Sequence, residues 1–457
     1  MSAESATTLK KSLWGKSAGR LVSTLLRHDE LAAVVIIAIH LYVDWYLGLA
    51  FLAQILTLGL LFVIYRHRSA QHPWVFPRAL WLWTLFLVLA ILPALRAISL
   101  KDGAYYYFNV IFYTLPMFWL GLVIAQDVGS LRRLFKMLSI FAALLAIVTI
   151  IQARTGVLLF KSTRYDASIA SLAHFELGNT GIYRAESFLL NPDSNGAWFA
   201  LMLLLPLGLY VESISFRAKV LYLVEMFLML LALLFTYSTG ASIAAAVGVV
   251  SFIVFAGRMR YRIQISLFVP VAAVGLIIVF PSQVHSLLQH ASTSAEWSLR
   301  LGVWQTGIHV ILAFPLTGIG LGRYIYILRA EPYRVPAQFI PVYHPHNSFL
   351  ELAALGGIPL ALLFIALLSL ALWLAVQNWI HADVAARTLL AGGLAAIIAL
   401  SFYSLTNAGW TLTPLTALGW LVLGAISSPL LTRSQKSELA DEEKEGNLRI
   451  HANQHGG

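Results

Sequence analysis

The sequence predicts an all-α, polytopic integral membrane protein, and three observations carry that expectation. Of its residues 59% are hydrophobic and only 11% charged, with a mean hydropathy of +0.78, outside the range of a soluble globular domain. Apolar stretches of spanning length follow one another along most of the chain. Basic residues gather in alternate connections, the signature of cytoplasmic loops. At roughly 20 apolar residues per span the chain holds about 12 transmembrane helices and no large soluble domain. The net charge of +10 follows from membrane orientation, so no nucleic-acid partner is expected. Zero cysteines exclude a disulfide, a thiolate metal site and a cysteine nucleophile.

Residues 1–30 read as a cytoplasmic N-terminal segment, because polar and basic residues precede the first apolar run and no small-residue cleavage site follows it. The membrane domain, 31–431, contains apolar segments at about 31–44, 46–65, 79–96, 105–125, 134–153, 194–211, 218–236, 240–256, 263–281, 347–377, 388–405 and 412–431. The first two meet at Asp44-Trp45. With both termini inside, Arg66, Arg68, Arg132, Arg133, Lys136, Arg258, Arg260, Arg262 and Arg387 all fall on the cytoplasmic side. Residues 432–457, with the run Asp441-Glu442-Glu443-Lys444-Glu445, have the composition of a disordered cytoplasmic tail.

Two external loops, about 154–193 and 282–346, exceed what connection requires, and long ordered loops tend to carry function. The second, between helices 9 and 10, contains Trp297, Leu301, Trp304, Ile308 and Ile311 at helical spacing, an amphipathic helix suited to the interface. Arg300 falls on the edge of that stripe, where it can face an anion or simply anchor the helix. The first loop closes on Arg184 and then Asn191-Pro192-Asp193-Ser194, a strong helix start whose N-terminus beside an arginine favours an anion. The alternative is an ordinary capped helix with Arg184 paired to Glu186.

Tyr343-His344-Pro345-His346-Asn347-Ser348 leads from the second loop into the tenth apolar segment. His344 and His346 admit three readings: a metal pair, a general base, or interface histidines bonded to loop backbone. Metal is the weakest, since Asp166, Glu176, Asp193, Glu296 and Glu331 are scattered. Proton removal from an alcohol suits an imidazole. The glycines of Pro315-Leu316-Thr317-Gly318-Ile319-Gly320-Leu321-Gly322-Arg323 read as a tight turn, because no strand precedes them to make a nucleotide loop. Lys161, Arg164 and Arg323 are further external cations. Glu225, inside the seventh span, is a structural polar contact or a transport residue. A transporter or flippase would place more ionisable groups at midplane.

Arg184 before Asn191-Pro192, the break at Ser238-Thr239-Gly240, Arg300 followed by Trp304, the turn from Pro315 to Gly320, and His346-Asn347 followed after nine residues by Gly357 together resemble the O-antigen ligase and O-antigen polymerase superfamily. The resemblance covers about residues 180–370, and its most specific part is the histidine element. One departure is Thr239, where many relatives carry an arginine within Ser-Arg-Gly. The resemblance implies a GT-C-type lipid-donor glycosyltransferase fold and an enzyme of the bacterial inner membrane. It implies transfer of O-antigen polysaccharide from undecaprenyl diphosphate to a hydroxyl of the lipid A core oligosaccharide at the periplasmic face, among membrane lipid. The chemistry implied is inverting, with neither metal nor cofactor: His346 as general base, His344 orienting that ring or the acceptor, and Arg184, Arg300 and Arg323 binding the donor diphosphate. An O-antigen polymerase or a protein O-oligosaccharyltransferase of the same superfamily is the nearest alternative.

Overall fold

The computed structural model describes residues 29–46, 49–69, 80–155, 184–256, 277–291, 294–322 and 324–431, with scattered residues between 262 and 275. Residues 1–28, the tail from 432, Lys161, Arg164, Arg323 and most of the expected ninth span lie outside the described residues. No strand occurs among those described. The protein is an all-helical, polytopic membrane protein. Six helices are long and apolar enough to cross a membrane, and four shorter apolar ones accompany them.

Helix α1 (Asp29–Ile39) continues as a π-helix through Tyr46 and is followed by α2 (Ala50–Ser69) and α3 (Leu80–Leu95). Helix α4 (Leu100–Tyr106) passes through a π-helical stretch, Tyr107–Phe112, into α5 (Thr114–Ile124). Helix α6 (Val128–Thr155) is followed by the pair α7 (Pro192–Met202) and α8 (Leu204–Glu212), then α9 (Phe216–Thr236) and α10 (Thr239–Phe255). The second long loop is itself largely helical, with α11 (Pro281–Ala291), α12 (Ser294–Ala313) and α13 (Ile325–Arg329). Helices α14 (Ser348–Gly356), α15 (Ile358–His381), α16 (Val384–Tyr403) and α17 (Thr413–Ile426) complete the bundle.

Helices α16 and α17 are buried along almost their whole length. Helix α16 packs on α7, α8, α10 and α17, and α17 on α5. At the last crossing a Cβ on Gly424 would stand 2.0 Å from the Phe118 carbonyl oxygen, so backbone touches backbone where apolar side chains could not be accommodated. Glu225 on α9 accepts a 2.5 Å hydrogen bond from Ser139 Oγ on α6. It is a polar contact between two packed helices.

The expected single segment at 347–377 is broken. Gly357 adopts φ 86°, and a Cβ there would lie 2.4 Å from the Leu316 carbonyl oxygen. The turn beginning at Pro315 docks into this break: Ile358 N donates to Pro315 O at 2.8 Å, Ile319 N to Ala354 O at 2.9 Å and Gly320 N to Leu355 O at 2.9 Å. Nine residues of helix, α14, therefore stand apart from α15 and are oriented by the turn. The segment expected at 194–211 is likewise two helices, because Pro206 cannot donate to the carbonyl of Met202, where α7 ends.

On α12 the expected apolar stripe is outward: Trp297, Leu301 and Ile308 are about half exposed, whereas Val303, Thr306 and Val310 are buried against the bundle. The helix thus presents Arg300 at the boundary of the two faces.

Gly357→Ala is expected to destabilise the protein by about 1–3 kcal/mol, through left-handed strain and the clash with Leu316. Gly59→Ala, where a Cβ meets nothing within 4 Å, should leave stability unchanged or raise it slightly. Thermal unfolding of the two variants in one detergent checks both.

Candidate functional site

Three helix ends meet around Arg184. Asn191 caps α7, its Oδ1 accepting from Ser194 N at 3.0 Å, with Pro192 in the first turn. That turn places Asp193 at a helix N-terminus, where a carboxylate is favoured. Arg184 Nη2 donates to Asp193 Oδ1 at 2.7 Å, and its Nε donates to the Thr236 carbonyl at the end of α9 at 2.9 Å. The partner of Arg184 is therefore Asp193 rather than Glu186. Tyr237, with φ 50°, turns the chain into α10, which Ser238 caps.

A second set of contacts forms where α16 ends. Arg300 Nη1 donates to the Thr406 carbonyl at 2.8 Å, Asn347 Nδ2 to the Leu405 carbonyl at 2.9 Å, and Ser348 N to the Ser404 carbonyl at 2.9 Å. Asn347 Oδ1 in turn caps α14 by accepting from Phe349 N and Leu350 N. The loop from Ser404 to Thr411 is thus a platform whose carbonyls hold α12 and the start of α14 together.

His346 sits on that platform in a left-handed conformation, φ 47°, costly for a residue with a Cβ unless its surroundings fix it. Its backbone N donates to His344 Nδ1 at 3.2 Å, and Trp304 Nε1 donates to its carbonyl at 3.4 Å. An accepting Nδ1 puts the proton of neutral His344 on Nε2. The two imidazole centroids are 4.5 Å apart. His346 Nδ1 is buried without a hydrogen-bond partner among the described residues, and the Asn407 side chain lies beside the ring.

The two sets share one electrostatic environment. Asp193 interacts with both Arg184 and Arg300, His346 with Arg300 and Asp193, and Tyr403 with Asp193, Arg300 and Arg184. Burial, and next the Arg300 guanidinium, push the pKa of His346 down to about 4, with Asp193 and Asn407 offsetting part of the fall. His344 is pushed well below the ordinary histidine range, first by burial and then by His346 and Arg300. Both rings are neutral at pH 7. Two guanidiniums against the single Asp193 carboxylate leave this cluster with a surplus positive charge. The arrangement can take an anion and a proton in the same place.

Of the residues singled out in the sequence, Arg184, Arg300, His344 and His346 are brought together, and Arg323 lies outside the described residues. Among the described residues no three His, Asp or Glu side chains gather as a possible metal-ligand set. Sequence reasoning missed Tyr403 and the 404–411 loop. The available signal was the polar run Ser404, Thr406, Asn407, Thr411 between two apolar segments.

Fold and site define the class: a polytopic helical membrane protein with cationic and imidazole groups concentrated at one loop end of the bundle. Residues 224–365 match the family model described as O-Antigen ligase, so that stretch of the chain is similar to the family. That match takes in Arg300, His344, His346 and Gly357 and stops short of Arg184 and the 404–411 loop. No curated protein matches the sequence.

Titration of His346 by NMR of ring-labelled histidine, assigned by difference against His346→Ala, is expected to give a midpoint near 4. Arg300→Gln should raise that midpoint toward the unperturbed value of about 6.5, because a nearby cation disfavours the imidazolium.

Proposed function

We propose that the protein is an O-antigen ligase of the bacterial inner membrane, with about 12 spans, both termini cytoplasmic and its site facing the periplasm. The observation that carries the reading is the gathering of two arginines and a neutral imidazole pair around Asp193, within a chain of which residues 224–365 are similar to the family. The donor is O-antigen on undecaprenyl diphosphate, its prenyl chain in membrane lipid, and the acceptor is a hydroxyl of the lipid A core oligosaccharide.

In the proposed reaction the acceptor oxygen attacks the anomeric carbon opposite the diphosphate, and the bond from that carbon to the phosphate oxygen breaks. Undecaprenyl diphosphate leaves with the bonding pair, and the configuration inverts. His346 takes the hydroxyl proton, while His344 fixes the loop conformation that presents it. The leaving group is already an anion, so cations rather than a general acid stabilise it. Arg184 and Arg300 supply them, with planar guanidiniums that suit phosphate oxygens, and Arg323 is a third candidate. No metal or cofactor has a part in this scheme. The polar groups concentrate at the loop end, and Glu225 is bonded to Ser139, which favours an enzyme over a transporter or flippase.

The discriminating experiment incubates purified protein with lipid-linked O-glycan and rough lipopolysaccharide, and separately with donor alone. Glycan on lipid A core is the expected product; lengthening of the donor glycan without acceptor modification would make the protein a polymerase, and glycan on a protein acceptor an O-oligosaccharyltransferase. His346→Ala should lower kcat by about 10²–10⁴-fold. Chelators should leave the rate unchanged, and a loss restored by a divalent ion would refute the metal-free scheme. Because only neutral imidazole accepts the proton, activity is lost as pH falls through the pKa of His346. The acid limb of kcat/KM is therefore expected near pH 4, and that of kcat at higher pH, since a bound diphosphate favours the imidazolium.

A further inference from the structure

We infer that Glu351 is a positioning residue for the transfer reaction, anchoring the 404–411 loop that holds Arg300 and flanks His346. The inference rests on the proposed role of His346 as base. Glu351 lies one turn into α14 and is only 6% exposed. Its Oε1 accepts from Tyr106 OH, at the end of α4, at 3.0 Å, and its Oε2 accepts from Thr411 Oγ1 at 2.6 Å. From Thr411 the chain of hydrogen bonds continues: Thr411 Oγ1 is 3.3 Å from Ser348 Oγ, which accepts from Trp410 N at 3.0 Å and lies 3.3 Å from the Asn407 carbonyl. Trp410 N also bonds Ser404 Oγ at 3.0 Å. The path from carboxylate to loop thus runs through two hydroxyls and ends at Ser404, Asn407 and Trp410, which flank Leu405 and Thr406, the residues whose carbonyls hold Asn347 and Arg300.

Two arguments assign this path a task beyond packing. A carboxylate buried among α4, α14 and the loop is costlier than an apolar residue of the same volume, so burial alone does not account for it. Each of its oxygens also receives one hydroxyl, so a single group fixes α4 and the loop relative to α14, the helix whose preceding residue pair is His346-Asn347. Among the described residues, Tyr326 of α13 also interacts electrostatically with Glu351. None of these side chains touches the reacting atoms as proposed, so Glu351 acts through the loop, on the alignment of Arg300 with His346.

The test uses full-length protein in nanodiscs with Glu351→Gln, Thr411→Val, the pair combined, and Thr411→Ser. The amide introduced by Glu351→Gln supplies one acceptor where the carboxylate supplies two, and Thr411→Val breaks the bridge to Ser348. Each single variant is expected to lower kcat by about 10- to 100-fold through misalignment. The combined variant should fall no further than the worse single one, because both cut one path. Thr411→Ser should keep the parent rate. The decisive readout needs no turnover: as Arg300 loses its fixed place, the NMR titration midpoint of His346 should rise from its wild-type value toward about 6.5. A midpoint unchanged in both single variants overturns the inference, whatever the rates do. Absence of glycan transfer to lipid A core by the wild-type protein would instead sink the ligase reading, and the titration would still decide the role of Glu351.

Discussion

Backbone carbonyls freed where helices stop inside the bundle are the constraint from which the site follows. A carbonyl freed at a helix end needs a donor from outside that helix, and a side chain can supply it. Here the donors are the functional candidates themselves: Arg184 meets the carbonyl of Thr236 where α9 ends, and Arg300 and Asn347 meet those of Thr406 and Leu405 beyond α16. One nitrogen of each arginine holds a carbonyl, a second nitrogen of Arg184 bonds Asp193, and both guanidiniums still carry their charge. A lysine could not divide its role in this way, because its single ammonium is a point donor without the fixed fork. Position and charge thus come from the same side chain.

The same arrangement couples anion binding to base strength. Burial, with Arg300 adding to it, keeps the two imidazoles neutral. In the proposed reaction the incoming diphosphate cancels part of the Arg300 field, so the base strengthens when the donor is in place. A base with a low pKa in the free protein and a higher one in the complex is unprotonated when the acceptor arrives, yet still able to hold the proton during bond formation. The left-handed backbone at His346 and the bond from its N–H to His344 fix the ring against the loop, so this coupling acts on a group already in place.

How much of this was legible beforehand differs by level. The all-helical membrane class and most apolar segments follow from hydropathy, and the capped start of α7 from Asn191-Pro192. The break at Ser238-Thr239-Gly240 was legible, whereas the one at Gly357 was not. Periodicity runs straight through Gly357, because the signal for the break is not local: it is the docking of Leu316 and Pro315 against it from some forty residues away in the chain. The same holds for Arg184, whose nearest acid in sequence is Glu186 but whose partner, Asp193, is brought round by the helix turn. The 404–411 loop escaped notice for a different reason. It contributes mostly carbonyls, and carbonyls have no sequence signature. Side-chain chemistry could be read from residue types; backbone chemistry needed the fold.

Thr239 bears on how the proposed site balances charge. The resemblance implies an arginine at this position, whereas here a hydroxyl stands there with its Oγ1 buried and unbonded among the described residues. Its neighbourhood is the site itself: a Cβ on Gly240 would lie 3.3 Å from Thr406 Oγ1, and one on Gly196 within 2.9 Å of Ser238 Cβ. Of the two guanidiniums proposed to meet the diphosphate, Arg184 is also paired to Asp193, and Arg300 has no carboxylate hydrogen-bonded to it among the described residues. The N-termini of α7 and α10 converge on the same region, each equivalent to roughly half a positive charge from aligned peptide dipoles. Those termini exist because α9 and α10 are separated at Tyr237 and Ser238, and because Asn191 and Pro192 start α7 where they do. In the proposed chemistry, helix ends therefore supply positive potential beside Thr239, where the side chain carries no charge. That places more of the electrostatic work on backbone whose direction is set by the fold and cannot be removed by substituting any one side chain.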